Sequence, residues 1–361
     1  MSDPRQLPIR VVKRTEIPRK TAWIIRSAAV FLALITGGLF IWALGHNPIE
    51  AYKTLITGAL GNKTALRETV KMSIPLCVTA LGVTLAFKMR FWNIGGEGQI
   101  CVGATAATYF ALFHYDWPPY ILFPVMVISS MVAGGLWGMI PALFKAKFGT
   151  NETLFTLMLN YVASYFIQYL RMGPWMNPES NFPQIARFEK SARLPTLLGV
   201  HVGWIFALVL VFAVFWYLKY TKQGYELSVV GENENTARYA GMNVSKIIIR
   251  TAFLSAALCG LTGMLQATGA DKTLSEAVTG GAGFTAITVA WLSKLNPFAI
   301  LLVSILFGML EKGSGAMQST LNIATSAADV FQGIILFFVL GSEFFISFRV
   351  ILGKGGVSRV R

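Results

Sequence analysis

Trp23–Leu44 reads WIIRSAAVFLALITGGLFIWAL, a run whose only charged residue is Arg26, near its start. At about 1.5 Å per residue a helix of this length reaches roughly 33 Å, enough to cross a bilayer with some tilt. The same texture recurs outward from it, at residues 73–87, 99–113, 120–144, 153–170, 202–218, 248–268, 284–292, 297–310 and 329–348. Together these segments predict an all-α, polytopic membrane protein with about ten transmembrane helices, some of them broken or short. Composition points the same way. Of 361 residues, 54% are hydrophobic and only 13% charged, against roughly 25% charged in soluble domains, which excludes an ordinary soluble enzyme.

Lys and Arg number 31 against 17 Asp and Glu, a net charge of +14. In a soluble protein that excess would suggest nucleic acid; in a membrane protein it collects in cytoplasmic loops. With the N-terminus inside, about two thirds of the basic residues fall on the cytoplasmic side, so both termini are expected in the cytoplasm and no nucleic-acid partner is expected. The chain then divides into a basic cytoplasmic tail (residues 1–22), a transmembrane domain (23–348) containing a cytoplasmic loop (219–249), and a second tail (349–361). The first tail, with Pro4, Arg5, Pro8, Arg10, Lys13, Arg14, Pro18, Arg19 and Lys20, has no small-residue cleavage site after the apolar stretch that follows. It therefore reads as retained and not as a signal peptide. Cys77, Cys101 and Cys259 lie inside apolar segments without metal-ligand or redox spacing, and read as packing residues.

Motifs for chemistry are few. Gly61-Asn62-Lys63-Thr64 lacks the leading half of a phosphate-binding loop, so the chain has no ATPase site of its own. His46, His114 and His201 are far apart, at expected external ends of spans, without the i, i+4 spacing of a helical metal site. Neither a G-x-S-x-G elbow nor a convincing pair of carboxylates is present. No enzyme activity, metal or bound cofactor is expected.

The segments 73–87, 99–113 and 284–292 are too short to span alone, which suggests broken helices. Irregular backbone at membrane depth requires protein or a water-filled path to satisfy its polar groups. Two glycine clusters sit at such breaks, Gly95-Gly96-Glu97-Gly98 and Gly280-Gly281-Ala282-Gly283; the alternative is that these glycines only permit close helix packing. Phe91–Gln99 places Asn93, Glu97 and Gln99 between apolar helices. An unpaired buried carboxylate is costly, so Glu97 is either matched by Lys88 or Arg90 or belongs to a solute path. Asn151 or Glu152 can cap the following span, and Asn160 then falls about two turns in, where its amide needs a bond to another helix or a place on that path. In the loop, Asn233 or Asn235 supplies an N-cap, Thr236–Ala240 a helical turn or two, and Gly241 a stop. This is either a short helix for docking a soluble partner or a solvated turn.

Four ordered elements carry a resemblance: Asn93-Ile94-Gly95-Gly96-Glu97-Gly98-Gln99, Thr156-Leu157-Met158-Leu159-Asn160-Tyr161, Gly231-Glu232-Asn233 through Ala237-Arg238-Tyr239-Ala240-Gly241-Met242, and Gly281-Ala282-Gly283-Phe284-Thr285-Ala286-Ile287-Thr288-Val289-Ala290. Across nearly the whole chain after the first span, it resembles the permease subunits of bacterial ABC importers of the ribose and branched-chain amino acid class, closest to the nucleoside and simple-sugar branch. The resemblance implies a coupling helix inserted into an ATPase subunit, with Glu232, Asn233, Ala237, Arg238 and Gly241 in that role. It departs from the family at Glu226-Leu227-Ser228, where a basic residue is usual, and at Asn235-Thr236, where a Pro and a small residue are common.

By the same resemblance, ATP and Mg²⁺ belong to a partner ABC ATPase. The other implied partners are a second permease in a heterodimer, an external solute-binding protein or lipoprotein, and the lipid of the bacterial cytoplasmic (inner) membrane. The solute is expected to be a nucleoside or a simple sugar such as ribose. Amides and aromatics suit uncharged polar molecules with apolar ring faces, which puts Asn93, Gln99, Asn160 and Phe284 among the candidate path residues, with the carboxylate of Glu97 beside them. Two other classes compete. An ion-coupled secondary transporter would draw on Glu97, Glu311 and Asp329, and a membrane scaffold would need no polar path.

Overall fold

The computed structural model describes residues 9–13, 18–324 and 326–352. In chain order the elements are β1 (Ile9–Lys13), α1 (Arg19–Ala43), α2 (Pro48–Leu60), α3 (Lys63–Lys88), α4 (Gly96–Phe113), α5 (Pro119–Phe148) and α6 (Glu152–Met172). A small hairpin of β2 (Thr196–Leu197) and β3 (Val200–His201) leads into α7 (Gly203–Tyr220), α8 (Lys222–Glu232), α9 (Glu234–Tyr239) and α10 (Val244–Leu265). After a π-helical turn at Gln266–Asp271 come α11 (Ala282–Leu292), α12 (Pro297–Leu321), α13 (Ser326–Ser347) and β4 (Phe348–Leu352).

The chain forms two units. The smaller comprises Met1–Leu55 with Ser314–Arg361. Its core joins Ile41, Ala51, Met317, Ile323, Ala327 and Phe331, with Tyr52 edge-on to Phe331 at 5.7 Å. β1 and β4 pair antiparallel, Ile9 opposite Leu352 and Lys13 opposite Phe348. The helix begins at Arg19, inside the stretch read as a tail, and Phe348 lies in a strand. Pro4, Arg5, Pro8 and Arg14 of the first tail and residues 353–361 of the second lie outside the described residues.

The larger unit, Ile56–Gly313, is built around α10, which packs on α5, α4 and α3. Small residues set the spacing: a Cβ on Gly134 of α5 would lie 2.7 Å from the Cα of Gly260 on α10. Such contact lets backbones touch where lipid supplies no hydrophobic drive between helices. Thr79 donates to Thr262 at 3.0 Å between α3 and α10. Between α6 and α7, His201 is 2% exposed and its Nδ1 accepts from the Gly203 amide at 3.3 Å. Burial, helped by the Lys71 charge, pulls its pKa down to about 4, so the imidazole is neutral and packs as a core group.

One sequence expectation is overturned. Residues 73–87 are no short, broken piece but the second half of the continuous 26-residue α3. Asn62 caps this helix by accepting from the Ala65 amide at 2.7 Å, and Lys63, Arg67, Glu68 and Lys71 had masked its first turns as a loop. By length and composition, seven helices among the described residues can cross a membrane. The three apolar segments left out of that set belong to α4, α6 and α11, and α4 packs against both of the other two.

Candidate functional site

α4 starts from an irregular turn whose polar groups are closed by side chains. Asn93, 1% exposed, and Gln99, 2% exposed, exchange two amide bonds: Nδ2 of Asn93 donates to Oε1 of Gln99 at 3.1 Å, and Nε2 of Gln99 returns one to Oδ1 of Asn93 at 2.9 Å. Asn93 also accepts from the Gly95 amide at 3.0 Å and donates to Ser255 of α10 at 3.3 Å. That uses both donors and both acceptor sites of its carboxamide. From α6, Asn160 accepts from the Gly98 amide at 2.8 Å and donates to the Ile94 carbonyl at 3.0 Å, while Thr156 one turn earlier accepts from the Ile94 amide at 3.2 Å. Asn160 thus makes a helix-to-break bond, and the chain around Gly98 leaves no room for a larger side chain: a Cβ there would lie 3.0 Å from Oδ1 and Cα of Asn160.

The second glycine cluster meets the first. Gly281, at φ +76, turns the chain into α11, and Gly283 lies against Gly96 and Glu97 so closely that its Cβ would collide with the Glu97 amide nitrogen. Two helix N-termini therefore face one another, each carrying about half a positive charge. Glu97, 8% exposed, stands between them, and its Oε1 accepts from the Phe284 amide at 3.2 Å. A charge-assisted bond at a helix N-terminus supplies the compensation a buried carboxylate needs. Of the two readings of Glu97, the pairing with Lys88 or Arg90 is therefore replaced. Lys88 ends α3 and Arg90 follows it, exposed at φ +59, and among the described residues no ion pair reaches Glu97. Phe284 itself is 47% exposed.

Sequence reasoning missed two groups here. Trp92 and Trp291 stack at 5.7 Å with an interplanar angle of 23°, both against Phe87, so α11 is held to the first break at its C-terminal end as well as its N-terminal one. On α6, Tyr161, Tyr165 and Tyr169 form an exposed row on the side away from Asn160. Their i, i+4, i+8 spacing was a readable signal of one helix face. Tyr161 sits near the middle of its helix, and a hydroxyl there facing hydrocarbon would be unsatisfied, so this face suits water or another protein chain.

The loop at 219–249 is mostly helical. α7 runs to Tyr220, α8 occupies Lys222–Glu232 and α9 covers Glu234–Tyr239, two residues earlier at its start than the sequence indicated. Asn233, not Asn235, is the cap, accepting from the amides of Asn235 and Thr236 at 2.8 and 3.1 Å. Gly241, at φ +76, closes the far end, with the Met242 amide bonded to the Ala237 carbonyl at 3.0 Å. Of α9 only Ala237 is buried; Glu232, Asn233, Arg238 and Tyr239 are exposed, Tyr239 to 93%. α8 is fixed from below. A Cβ on Gly231 would collide with the Lys88 carbonyl at the end of α3, and Glu226 pairs with Arg250 of α10 at 3.1 Å.

Elsewhere, Glu152 pairs with Lys145 at 2.9 Å and Asn151 caps α6 by accepting from the Leu154 amide at 3.2 Å. Among the described residues no three His, Cys, Asp or Glu side chains gather as metal ligands.

Comparison with known proteins agrees with this architecture. Residues 66–340 match the family described as branched-chain amino acid transport system / permease component. The chain is 32% identical over 351 residues to a glucose ABC transporter permease protein of Haloferax volcanii, covering 92% of each. It is 31% identical over 347 residues to a guanosine ABC transporter permease protein of Bacillus subtilis, covering 94% of this chain and 98% of that one. A nucleoside ABC transporter permease protein of Lactococcus lactis is 28% identical over 323 residues, covering 86% and 88%.

Proposed function

This chain belongs to the family of branched-chain amino acid transport system permease components, and from that premise we propose that it forms the membrane path for a nucleoside, or a simple sugar such as ribose, in an ATP-driven importer. It is a multi-pass permease subunit, and we place it in the bacterial cytoplasmic membrane. The observation that carries the path is the packing of α4 against both α6 and α11, three apolar segments that fall outside the seven described helices able to cross a membrane by themselves. Asn93, Gln99, Asn160 and Glu97 hold that junction in shape, and Phe284 with the tyrosine row of α6 offers ring faces and hydroxyls to the solute. α8 and α9 are assigned to coupling. Asn233 and Gly241 fix the ends of α9, Ala237 seats it, and Glu232 and Arg238 face a partner ATPase. That partner carries the ATP and Mg²⁺. A second permease subunit in a heterodimer and an external solute-binding protein or lipoprotein complete the assembly.

The test is uptake into proteoliposomes holding the chain with its proposed partner ATPase, second permease and solute-binding protein. ATP-dependent uptake of labelled guanosine or ribose is expected. Uptake by this chain alone, driven by a proton or sodium gradient, would make it an ion-coupled transporter.

A further inference from the structure

At the end where α5 finishes and α10 begins, two adjoining hollows of about 490 and 370 Å³ share Ser245 and Ile249 as common wall. Their floor is apolar, formed by Met139, Leu143 and Phe144 of α5 with Ile249 and Phe253 of α10. Leu143 and Phe144 are 43% and 41% exposed, so the floor opens onto the outer flank of two helices long and apolar enough to cross a membrane. The rim is cationic, with Lys147 on one side and Lys246 on the other. Neither lysine has a carboxylate partner among the described residues, whereas nearby Lys145 and Arg250 are held by Glu152 and Glu226. Lys147 instead lies 5.4 Å over the Phe148 ring. Ser245, with a hydroxyl, sits in the first turn of α10, a 22-residue helix whose positive end faces the rim.

Two unpaired cations, a hydroxyl and a helix N-terminus at a helix end, over an apolar channel running along the span, match an amphiphile with an anionic phosphate head and an acyl tail. We propose that this groove seats one anionic phospholipid, its phosphate between Lys147 and Lys246 and a chain along Leu143, Ile249 and Phe253. The proposal is independent of the solute and of the coupling assignment. It commits to a lipid over a protein segment because the groove runs along the flank of two long apolar helices and not out into the loops.

The experiment is native mass spectrometry of the purified full-length chain in detergent, with phosphatidylglycerol and phosphatidylcholine supplied in equal amounts. Wild type should retain phosphatidylglycerol preferentially, and K147Q/K246Q should lose that preference by roughly tenfold. K63Q/K190Q, which removes two exposed cations elsewhere, should keep it. L143Q, at an exposed position that does not threaten the core, should lower retention of both lipids. Should the double exchange fail to fold, K246Q alone gives the same readout at reduced size. Equal retention of the two lipids by wild type, or equal loss in K63Q/K190Q, would overturn the proposal. So would displacement of the lipid by millimolar inorganic phosphate, which would mark a free-anion site. Loss of ATPase-subunit capture by K147Q/K246Q with unchanged lipid retention would mean a protein-docking surface and would equally overturn it.

Discussion

The junction of α4, α6 and α11 and the α8–α9 segment are both irregular, both glycine-bearing and both rich in amides, yet they treat their polar groups in opposite ways. At the junction Asn93, Gln99 and Asn160 are buried and spend their amides on neighbouring backbone and side chains. Along α9 the side chain of Asn233 serves its own helix end, and Arg238 and Tyr239 are exposed, with no hydrogen-bond or ion-pair partner among the described residues. A polar group satisfied inside the protein holds shape; one left exposed on a rigid, capped element is available to a partner. The difference separates a packed joint closed on itself from an exposed face whose polar groups are left open.

The sharpest way to break this contrast is to crowd the junction. Gly283→Val places a side chain where the Glu97 backbone already sits. Overpacking of that kind costs about 1–3 kcal/mol, so the variant should melt earlier and lose most uptake per inserted complex. Gly281→Val is the matched control. Among the described residues nothing lies within 4 Å of its Cβ position and the positive φ is what opposes the change, so thermal melting should fall less. Equal melting of the two would mean the helix N-termini do not make the close contact described.

Next in size is the carboxylate. Glu97→Ala leaves the Phe284 amide and two helix N-termini without an anion, a loss of about 1–3 kcal/mol. Glu97→Gln keeps an acceptor and forfeits only the charge, about 0.3–1 kcal/mol at each terminus. Both should insert, with uptake per inserted complex ordered wild type, Gln, Ala. Normal uptake in both would remove Glu97 from the site.

How far the sequence disclosed these regions follows from the same contrast. The α9 ends were legible because capping is local: an Asn before a helical turn and a Gly after it act within a few residues, and Asn233 and Gly241 do. The two glycine clusters were legible as breaks for the same reason. Of the two readings of Glu97, the pairing with Lys88 or Arg90 fails because its partner is a backbone amide 187 residues away, and a backbone donor has no residue type to search for. α3 was read as half its length because its first turns carry Lys63, Arg67, Glu68 and Lys71, and hydropathy does not distinguish a polar helix start from a loop. The tyrosine row of α6 was visible by spacing, but an apolar window counts Tyr as filler.

Smaller effects come from the exposed segment. Arg238→Glu changes an exposed side chain with no partner among the described residues, so stability should stay within about 0.5 kcal/mol of wild type. Capture of the ATPase subunit, read by co-purification, should nevertheless weaken through the reversed charge. Undiminished capture would take Arg238 out of the interface.

Coupling through α9 is tested most directly by substrate-stimulated ATP hydrolysis in the reconstituted complex carrying Gly241→Val. A β-branched residue at φ +76 costs about 1–2 kcal/mol at that turn, enough to displace a six-residue helix and too local to unfold the bundle. The account predicts a complex that assembles and melts as wild type does, hydrolyses ATP at its basal rate and no longer responds to solute. Wild-type stimulation in this variant would contradict it, because α9 would then be a solvated turn and the ATPase would have to be coupled through another part of the chain.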